Sequence, residues 1–193
     1  MELILASSSP RRRELLAATG CPFRIIEPGI EELSHSLLSP AELCSANAAL
    51  KAEAVSQRFP EALVLGADTI VTLDRRIFGK PTDLEDARRM LAALSGRTHE
   101  VLTAIALRGP GMQRALVERT RVTFREMGES SRNAYLDRIH PLDKAGAYSA
   151  QEDHGELIAR IEGCFQNVIG LPVPRLLREL AALRENGNLG LSN

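Results

Sequence analysis

The sequence contains no tryptophan, and only 4% of its 193 residues are aromatic. This scarcity argues against a surface that stacks the bases of single-stranded nucleic acid. Basic and acidic residues nearly balance, 24 against 25, and leave a net charge of −1. The chain therefore has no overall field for binding a nucleic-acid backbone or an anionic membrane, and any anion must meet a local cluster of cations.

Cysteines and long apolar runs are also scarce. The three cysteines, Cys21, Cys44 and Cys164, are too few and too far apart for a disulfide framework or a four-cysteine zinc site. No apolar run approaches the ~20 residues that span a bilayer. The acidic start of the chain also differs from the basic start of a secretory signal. We therefore expect a cytoplasmic protein with neither a nucleic-acid nor a membrane partner.

What is present is the composition of an ordinary globular protein, 44% hydrophobic and 25% charged. Short apolar runs alternate with amphipathic segments, without a repeat, a low-complexity tract or a Pro/Gly-rich linker. This alternation predicts a single α/β domain over residues 1–193 with a tail that frays from about residue 185.

Periodicity and capping signals place the individual elements. Predicted strands cover residues 3–5, 23–26, 63–67 with an extended continuation over 70–73, 101–107, 122–124 and 157–161. Predicted helices cover residues 11–18, 40–55, 129–138 and 174–184, and a further one starts at Thr82 and ends at Gly96. Ser9 before Pro10 predicts the first helix start, and capping boxes at Ser39–Glu42 and Thr82–Glu85 predict two others.

The first candidate site is the segment 7–13, SSSPRRR, where a predicted strand meets a helix. A helix N-terminus favours anions, and arginine adds bidentate donors that are always charged. Three cations there oppose the helix dipole by roughly 0.3–1 kcal/mol each, so stability alone would favour acidic residues. The segment predicts a polyphosphate-binding loop, although not of the Walker type, with a solvated basic turn as the alternative.

The second candidate is Asp68, in the segment 66–69 (GADT), at the carboxyl end of the most clearly predicted strand. Ligands of open α/β sheets gather beyond the carboxyl ends of strands. A carboxylate there can bind a divalent metal or deprotonate a water molecule. The alternative is a turn aspartate that caps its own backbone.

Three further charged positions have weaker patterns. Lys80, in the turn 79–81 (GKP), offers a point charge to a phosphate, although such a lysine alone is more often only a turn residue. The pair Glu31 and Glu32 fits solvation better than metal binding. Lys51, on the polar side of a predicted helix, is predicted to be an ordinary surface residue.

The last cluster is the segment 143–148 (DKAGAY), followed by Gln151. Small residues between charged groups predict a loop in close contact with something, and the Gln151 amide could read a base edge. His99, His140 and His154 have no metal-ligand spacing with the cysteines and are predicted to be structural or exposed. Together the clusters offer cations for phosphates and carboxylates for a metal and for a water, as metal-assisted hydrolysis of a nucleotide anhydride requires.

The order of these motifs resembles the Maf family of nucleoside triphosphate pyrophosphatases over residues 3–177. The motifs are LASSSPRR at 5–12, GADT at 66–69, GKP at 79–81, LSG with His99 at 94–99, DKAGAY with Gln151 at 143–151 and NVIGLP at 167–172. The resemblance implies an elongated, mixed-sheet α/β fold, like that of inosine triphosphatases, with two lobes flanking an active-site cleft. It also implies hydrolysis of a nucleoside triphosphate to the monophosphate and pyrophosphate with Mg²⁺ or Mn²⁺.

The same resemblance implies a cytoplasmic homodimer with a small-molecule nucleotide substrate and links to cell division and to removal of non-standard nucleotides. Carried over by position, Asp68 is the general base and a metal ligand, and Glu31 or Glu32 is a further acidic metal ligand. The implied substrate-binding residues are Ser7, Arg11, Arg12, Lys51, Thr69, Lys80 and Gln151.

Three positions resemble the dTTP/UTP branch of the family rather than its 7-methyl-GTP branch: Arg11, Thr69 and Gln151, where the other branch tends to have Trp, Gln and Glu. Two features depart from the family pattern, the acidic segment 152–156 after Gln151 and Asn47 in place of a usual leucine. The acidic segment leaves a 7-methyl-GTP or broad-range preference open. A non-catalytic, nucleotide-sensing regulator is the rival from another functional class.

Overall fold

The structure is a computed structural model that describes residues 1–34 and 37–185. The tail that the sequence predicts to fray lies outside these residues, apart from its first residue. Within the described residues, no helix is both long and apolar enough to cross a membrane.

The described residues form seven strands and six helices. The strands are β1 (Leu3–Ala6), β2 (Arg24–Ile26), β3 (Leu63–Leu73), β4 (Arg76–Phe78), β5 (Thr98–Gly109), β6 (Met112–Phe124) and β7 (Ile158–Glu162). The helices are α1 (Pro10–Ala17), α2 (Pro40–Ser56), α3 (Leu84–Leu94), α4 (Glu129–Leu136), α5 (Phe165–Ile169) and α6 (Val173–Glu185). Two short 3-10 turns, Pro141–Asp143 and Ala145–Ala147, follow α4.

The strands belong to one mixed sheet in the order β2-β1-β3-β5-β6-β7, with β4 paired to the end of β3. β1 runs parallel to both β2 and β3, whereas β3–β4 and β6–β7 are antiparallel pairs. Parallel pairs need crossover connections, and helices provide them here, since α1 lies between β1 and β2 in the chain and α2 lies between β2 and β3. The prediction of a mixed α/β fold is confirmed.

Three elements differ from the sequence prediction. β6 has 13 residues, of which the sequence predicts only the last three, because half-buried and exposed residues alternate through its first eight positions. The half-buried positions include an arginine and a glutamate, and these charged residues mask the two-residue period of a strand. The three-residue β4 and the five-residue α5 were not predicted, since both are too short to show a period.

The predicted capping box of α2 is confirmed. The Ser39 hydroxyl accepts from the Glu42 backbone N–H at 3.4 Å, and the Glu42 carboxylate accepts from the Ser39 backbone N–H at 2.8 Å. This reciprocal pair satisfies two N–H groups that the helix itself leaves without acceptors.

The predicted Thr82–Glu85 capping box is wrong by one residue. Asp83 caps α3 instead, and its carboxylate accepts from the Asp86 backbone N–H at 2.7 Å. The Asp86 carboxylate in turn accepts from the Thr82 backbone N–H at 3.1 Å. Aspartate outranks threonine as an N-cap, and a second aspartate, Asp86, supplies the returning carboxylate.

The chain divides into two compact units. The first contains residues 1–68, 103–118 and the described part from 170 onward, and the second contains residues 69–102 and 119–169. The first has its own core, built from β1, β3, β5 and α6, that includes Leu5, Leu65, Ile105, Leu176 and Leu180. The second has a separate core of α3, β6 and the aromatic side chains Phe78, Phe124, Tyr135 and Tyr148.

Candidate active site

The pairing of β1 with β3 brings two predicted site residues to one edge of the first unit. Ala6 pairs with Gly66, which is the last pair of this parallel ladder. Ser7 and Asp68 lie just beyond that pair, one residue after Ala6 and two after Gly66, and both are buried. Asp68 was predicted at the end of a strand, whereas β3 continues to Leu73. Asp68 therefore lies where β1 ends, not where β3 ends.

Gly66 allows α2 to lie directly against β3. A Cβ atom at this position would lie 2.2 Å from the Ala48 carbonyl oxygen and 2.7 Å from the Ala52 backbone nitrogen. No side chain can occupy that space without displacing the helix. The glycine thus brings the turn of α2 that carries Lys51 against the strand that carries Asp68.

Lys51 is the centre of the site's charge network. Its Nζ lies 2.7 Å from Oδ1 of Asp68 and 2.8 Å from Oε1 of Glu32. It also donates to the Ala67 carbonyl oxygen at 3.3 Å. Three acceptors match the three donors of an ammonium group.

The prediction that Lys51 is an ordinary surface residue is wrong, because the residue is only 5% exposed. The helical spacing contains the signal that could have placed it inside. Cys44, Ala48, Lys51 and Val55 recur at the period of one helix face, and the other three are small or apolar. A lysine within an apolar stripe needs an acid partner, and Asp68 is that partner.

The two candidate acidic metal ligands differ in their surroundings. Glu32 contacts Lys51, and its side chain stays 45% exposed in this contact. Glu31 is exposed. The structure therefore joins Glu32, and not Glu31, to the pair formed by Lys51 and Asp68.

The segment that begins with Ser7 is ordered by its own backbone. The buried Ser7 hydroxyl accepts from the Ser9 backbone N–H at 3.1 Å. Ser9 occupies the N-cap of α1 and Pro10 follows it, as predicted, yet within this described segment the Ser9 side chain makes no capping hydrogen bond. The loop is thus shaped by Ser7, at the amino end of a helix whose dipole favours anions.

Arg12 points back toward the carboxylates of the first unit. Its Nε donates to the Gly170 carbonyl oxygen at 2.9 Å, which fixes the direction of the guanidinium. Burial lowers the pKa of Arg12, while the charges of Asp68 and Glu32 act in the opposite direction. Arg11, the preceding residue, is partly buried and its charge also disfavours the Arg12 cation. The cost of placing these cations together is consistent with an anion-binding role.

Cys44 supports the backbone of the site. Its buried thiol donates to the Asp68 carbonyl oxygen at 3.3 Å and accepts from the Ala104 backbone N–H at 3.3 Å. Burial, with a smaller effect of the Asp68 charge, raises the pKa of Cys44 to about 12. The thiol stays protonated at neutral pH and is therefore no nucleophile.

The remaining predicted site residues belong to the second unit. Thr69 is partly buried, whereas Lys80 and Gln151 are exposed. Gly79, directly before Lys80, accepts at its carbonyl oxygen from the Gly146 backbone N–H at 3.0 Å. The two motifs that contain Gly79 and Gly146 are thus hydrogen-bonded to each other, as the small residues of the DKAGAY segment suggest.

Gly146 has a structural reason to be glycine. Its φ is +73°, and a Cβ atom there would lie 3.2 Å from the Val71 side chain.

Further along, the acidic segment after Gln151 is held by hydrogen bonds of its own. The Asp153 carboxylate accepts from the backbone N–H groups of Leu157, at 2.8 Å, and Ile158, at 3.0 Å. The segment therefore caps the start of β7 with one of its own acids.

His99, His140 and His154 are structural or exposed, as predicted. His99 is buried and its Nε2 lies 3.0 Å from the Tyr148 hydroxyl. Its ring packs edge-to-face against Phe124 and Tyr148. Burial lowers the pKa of His99 to about 4, so the imidazole is neutral in the folded protein at pH 7. His140 and His154 are exposed.

The carboxylates of the first unit fit an ion such as Mg²⁺, which takes only one or two protein ligands, better than an ion whose ligands all come from the protein. Among residues 1–34 and 37–185, no three His, Cys, Asp or Glu side chains form a metal-binding group. Oxygens of Asp68 and Glu32 nevertheless lie within hydrogen-bond distance of the same ammonium. Mg²⁺ is commonly bound by one or two carboxylates together with substrate phosphates. This pair of oxygen donors fits that requirement.

The architecture is shared with a solved structure of distant sequence. The Staphylococcus aureus Ham1 protein superposes with a TM-score of 0.55, covering 94% of this chain and 99% of that chain at 17% identity. At this identity the likeness shows the fold alone. The mixed sheet of this chain therefore belongs to a known α/β fold. Its buried carboxylate–ammonium pair lies beside the end of the parallel ladder.

The family follows from sequence comparison. The chain matches the family model described as "Maf-like protein" over residues 2–183 and belongs to that family, which confirms the resemblance of its motifs. It is 50% identical over 182 residues to a protein of Akkermansia muciniphila named "dTTP/UTP pyrophosphatase", covering 94% of this chain and 96% of the relative. It is also 46% identical over 179 residues to a protein of the same name from Bacillus cytotoxicus, covering 93% and 94%.

Proposed function

We propose that this protein is a nucleoside triphosphate pyrophosphatase that hydrolyses dTTP and UTP to the monophosphate and pyrophosphate. The observation that carries the proposal is the buried Asp68 carboxylate, held by Lys51 and joined through it to Glu32, beside the loop that starts at Ser7. Relatives at 45–50% identity named dTTP/UTP pyrophosphatase support the substrate class.

The phosphates are proposed to bind to the basic loop. Ser7 offers its hydroxyl, and Arg11 and Arg12 offer positive charge, at the amino end of α1. Arg12 is directed by its bond to the Gly170 carbonyl, so its remaining N–H groups keep a fixed direction. Family position adds Lys80 as a further phosphate-binding residue. Three or more cations suit the charge of a triphosphate.

Asp68 is proposed to act as the base. Its carboxylate orients a water molecule and takes a proton from it while the water oxygen attacks the α-phosphorus. The new O–P bond forms as the bond to the bridging oxygen breaks, and that oxygen leaves with pyrophosphate. Lys51 holds the Asp68 carboxylate in one orientation throughout, which is the positioning on which phosphoryl transfer depends.

A divalent cation, Mg²⁺ or Mn²⁺, when bound by Asp68 and Glu32 or Glu31, supplies positive charge to the phosphate oxygens. Of the two glutamates, the contact with Lys51 favours Glu32. No step above requires a nucleophilic cysteine or serine, in keeping with the protonated thiol of Cys44.

The preference for a pyrimidine nucleobase is proposed from three side chains. Arg11, Thr69 and Gln151 match the dTTP/UTP branch of the family, and Gln151 is exposed, so its amide is accessible to a ligand. The acidic segment after Gln151 is folded back onto β7 by Asp153. This internal hydrogen bonding favours a preference for pyrimidine nucleobases. The alternative is that the acidic segment changes the shape of the nucleobase pocket. Family resemblance also supports a cytoplasmic homodimer.

Pyrophosphate release with Mg²⁺ across dTTP, UTP, CTP, GTP, ATP and 7-methyl-GTP tests the proposal. We expect fast release from dTTP and UTP alone. Asp68→Asn abolishes release with the fold intact but less stable, because Lys51 loses its buried partner, whereas Asp137→Asn, at the exposed C-cap of α4, has no effect. Preference for 7-methyl-GTP would overturn the proposed preference for pyrimidine nucleobases. Nucleotide binding without any release of pyrophosphate would identify a nucleotide sensor instead.

A further inference from the structure

Asn47 makes a two-point contact with the backbone of the segment that carries Glu32. The residue lies on α2 and is only 3% exposed. Its Oδ1 accepts from the Leu33 backbone N–H at 2.8 Å, and its Nδ2 donates to the Leu33 carbonyl oxygen at 3.1 Å. A carboxamide supplies a donor and an acceptor at once, which is what a single backbone residue needs. Both hydrogen bonds close on one residue and so fix its position and its orientation.

The contacted segment has little other regular structure to hold it. Residues 27–34 form neither helix nor strand. Glu32 comes directly before Leu33 in the chain. The two hydrogen bonds from Asn47 to Leu33 therefore fix the backbone that carries the Glu32 side chain. An ion pair with a half-exposed partner holds a loop only weakly. The Glu32–Lys51 contact alone is therefore a poor anchor for this segment.

Asn47 and Lys51 are one helical turn apart on α2 and face the same side. One of them holds the backbone next to Glu32, and the other holds the Glu32 carboxylate at 2.8 Å. Because the helix is rigid, the two contacts together fix where this carboxylate lies relative to Asp68.

We infer that Asn47 is a positioning residue, which places the Glu32 carboxylate beside Lys51 and Asp68 for binding the metal-complexed nucleotide. The inference rests on the proposed function for its consequence, but its structural part can be measured without any nucleotide. Partners that orient metal ligands typically change metal affinity or activity by about 10–100-fold when they are removed.

The test is Asn47→Leu, which removes both hydrogen bonds and keeps a side chain of similar size. Leu33 is 43% exposed and lies outside any helix or strand, so the loss of its two bonds to Asn47 should leave the fold intact. We expect faster amide hydrogen exchange over residues 29–34 and a roughly 10–100-fold higher Mg²⁺ concentration for half-maximal pyrophosphate release. Asn47→Ala removes the same bonds without adding bulk, and is expected to give the same two results if the leucine variant folds poorly.

Ser56→Ala is the matched control. It removes a side-chain hydrogen bond, from the Ser56 hydroxyl to the Glu53 carbonyl oxygen at 3.0 Å, on the same helix but away from Glu32. Both the exchange of residues 29–34 and the Mg²⁺ requirement should remain as in the wild type. A general loosening of α2 would instead change the two variants alike, and that result overturns the inference.

A double variant shows whether Asn47 acts through Glu32. In a Glu32→Gln background, Asn47→Leu should cause no further loss, because the carboxylate that it positions is already gone. The inference is contradicted if the two losses multiply, or if exchange over residues 29–34 is unchanged. If the wild type releases no pyrophosphate, the proposed function fails by itself, while hydrogen exchange still decides whether Asn47 holds the Glu32 segment.

Discussion

Lys51 Nζ lies 2.7 Å from Oδ1 of Asp68, and the side chains of both residues are more than nine-tenths buried. Removing two charges from water costs several kcal/mol for each ion, which a single close contact need not recover. An apolar pair would serve stability at least as well in this place. The retention of a buried ion pair, with Glu32 as a half-exposed third member, agrees with a site kept for its chemistry.

Loss of the lysine should leave a buried carboxylate without its cation. We expect Lys51→Met to lower the free energy of unfolding by about 3–5 kcal/mol, measured by urea denaturation. The double variant with Asp68→Asn should recover most of this loss, since neither charge is then buried. Wild-type stability in the single variant would show that the pair is solvated in solution.

Close packing of α2 on β3 predicts a second effect. In Gly66→Ala, the new Cβ would overlap the Ala48 carbonyl oxygen, so α2 must move outward. We expect a loss of about 1–3 kcal/mol in unfolding free energy, and a fall in pyrophosphate release because Lys51 moves with the helix.

Gly128→Ala is the control for that variant. Nothing lies within 4 Å of a Cβ at Gly128, and its φ is −66°, which any residue adopts. Its stability should fall by less than about 1 kcal/mol, because Gly128 is the N-cap of α4 and alanine is a poorer N-cap than glycine, and its activity should equal that of the wild type. Equal behaviour of the two alanine variants would refute the packing argument.

The two neighbouring glutamates should differ in their effect on metal use. Glu32→Gln is expected to raise the Mg²⁺ concentration for half-maximal activity by at least about tenfold, because its carboxylate shares Lys51 with Asp68. Glu31→Gln should have the smaller effect, since it is Glu32 that contacts Lys51. A larger effect at Glu31 would reassign the acidic ligand.

Buried His99 should make stability depend on pH. Burial lowers its pKa from 6.5 to about 4, so between these values the unfolded chain binds a proton that the folded chain does not. Stability is therefore full above pH 6.5 and falls as the pH is lowered toward 4, by up to about 1.4 kcal/mol per pH unit.

Urea unfolding between pH 7.5 and 5 measures this dependence. His99→Phe keeps an aromatic ring between Phe124 and Tyr148 and should have the shallower pH profile. His154→Gln, at an exposed position, should keep the wild-type slope. The assignment fails if removing His99 leaves the slope unchanged.

Local patterns in the sequence predicted the elements that have local causes. The Ser39–Glu42 capping box and the apolar run of β3 are visible within a few residues and were predicted correctly. β6 was mostly missed, because charged side chains on both of its faces interrupt the apolar alternation; one of them is the exposed Arg121, which pairs with Glu162 of β7. Such pairing depends on a strand far along the chain.

The site shows the same division. Its motifs could be found in the sequence, and Ser7 and Asp68 both lie just beyond the last residue pair of the parallel β1–β3 ladder. The partners could not be found, since Lys51 and Asp68 meet through the packing of α2 on Gly66, and Glu32 joins them from a segment without helix or strand. Asn47 stood out as a departure from the family pattern, but only the structure shows that it holds Leu33.

The central claim is that water held by Asp68 attacks the α-phosphorus of a pyrimidine nucleoside triphosphate. Hydrolysis of dTTP with Mg²⁺ in water labelled with oxygen-18, followed by mass spectrometry of both products, tests it most directly. The account predicts one labelled oxygen in the monophosphate, none in pyrophosphate, and no labelled product with Asp68→Asn. Label in pyrophosphate, release of inorganic phosphate instead, or wild-type turnover by Asp68→Asn would contradict it.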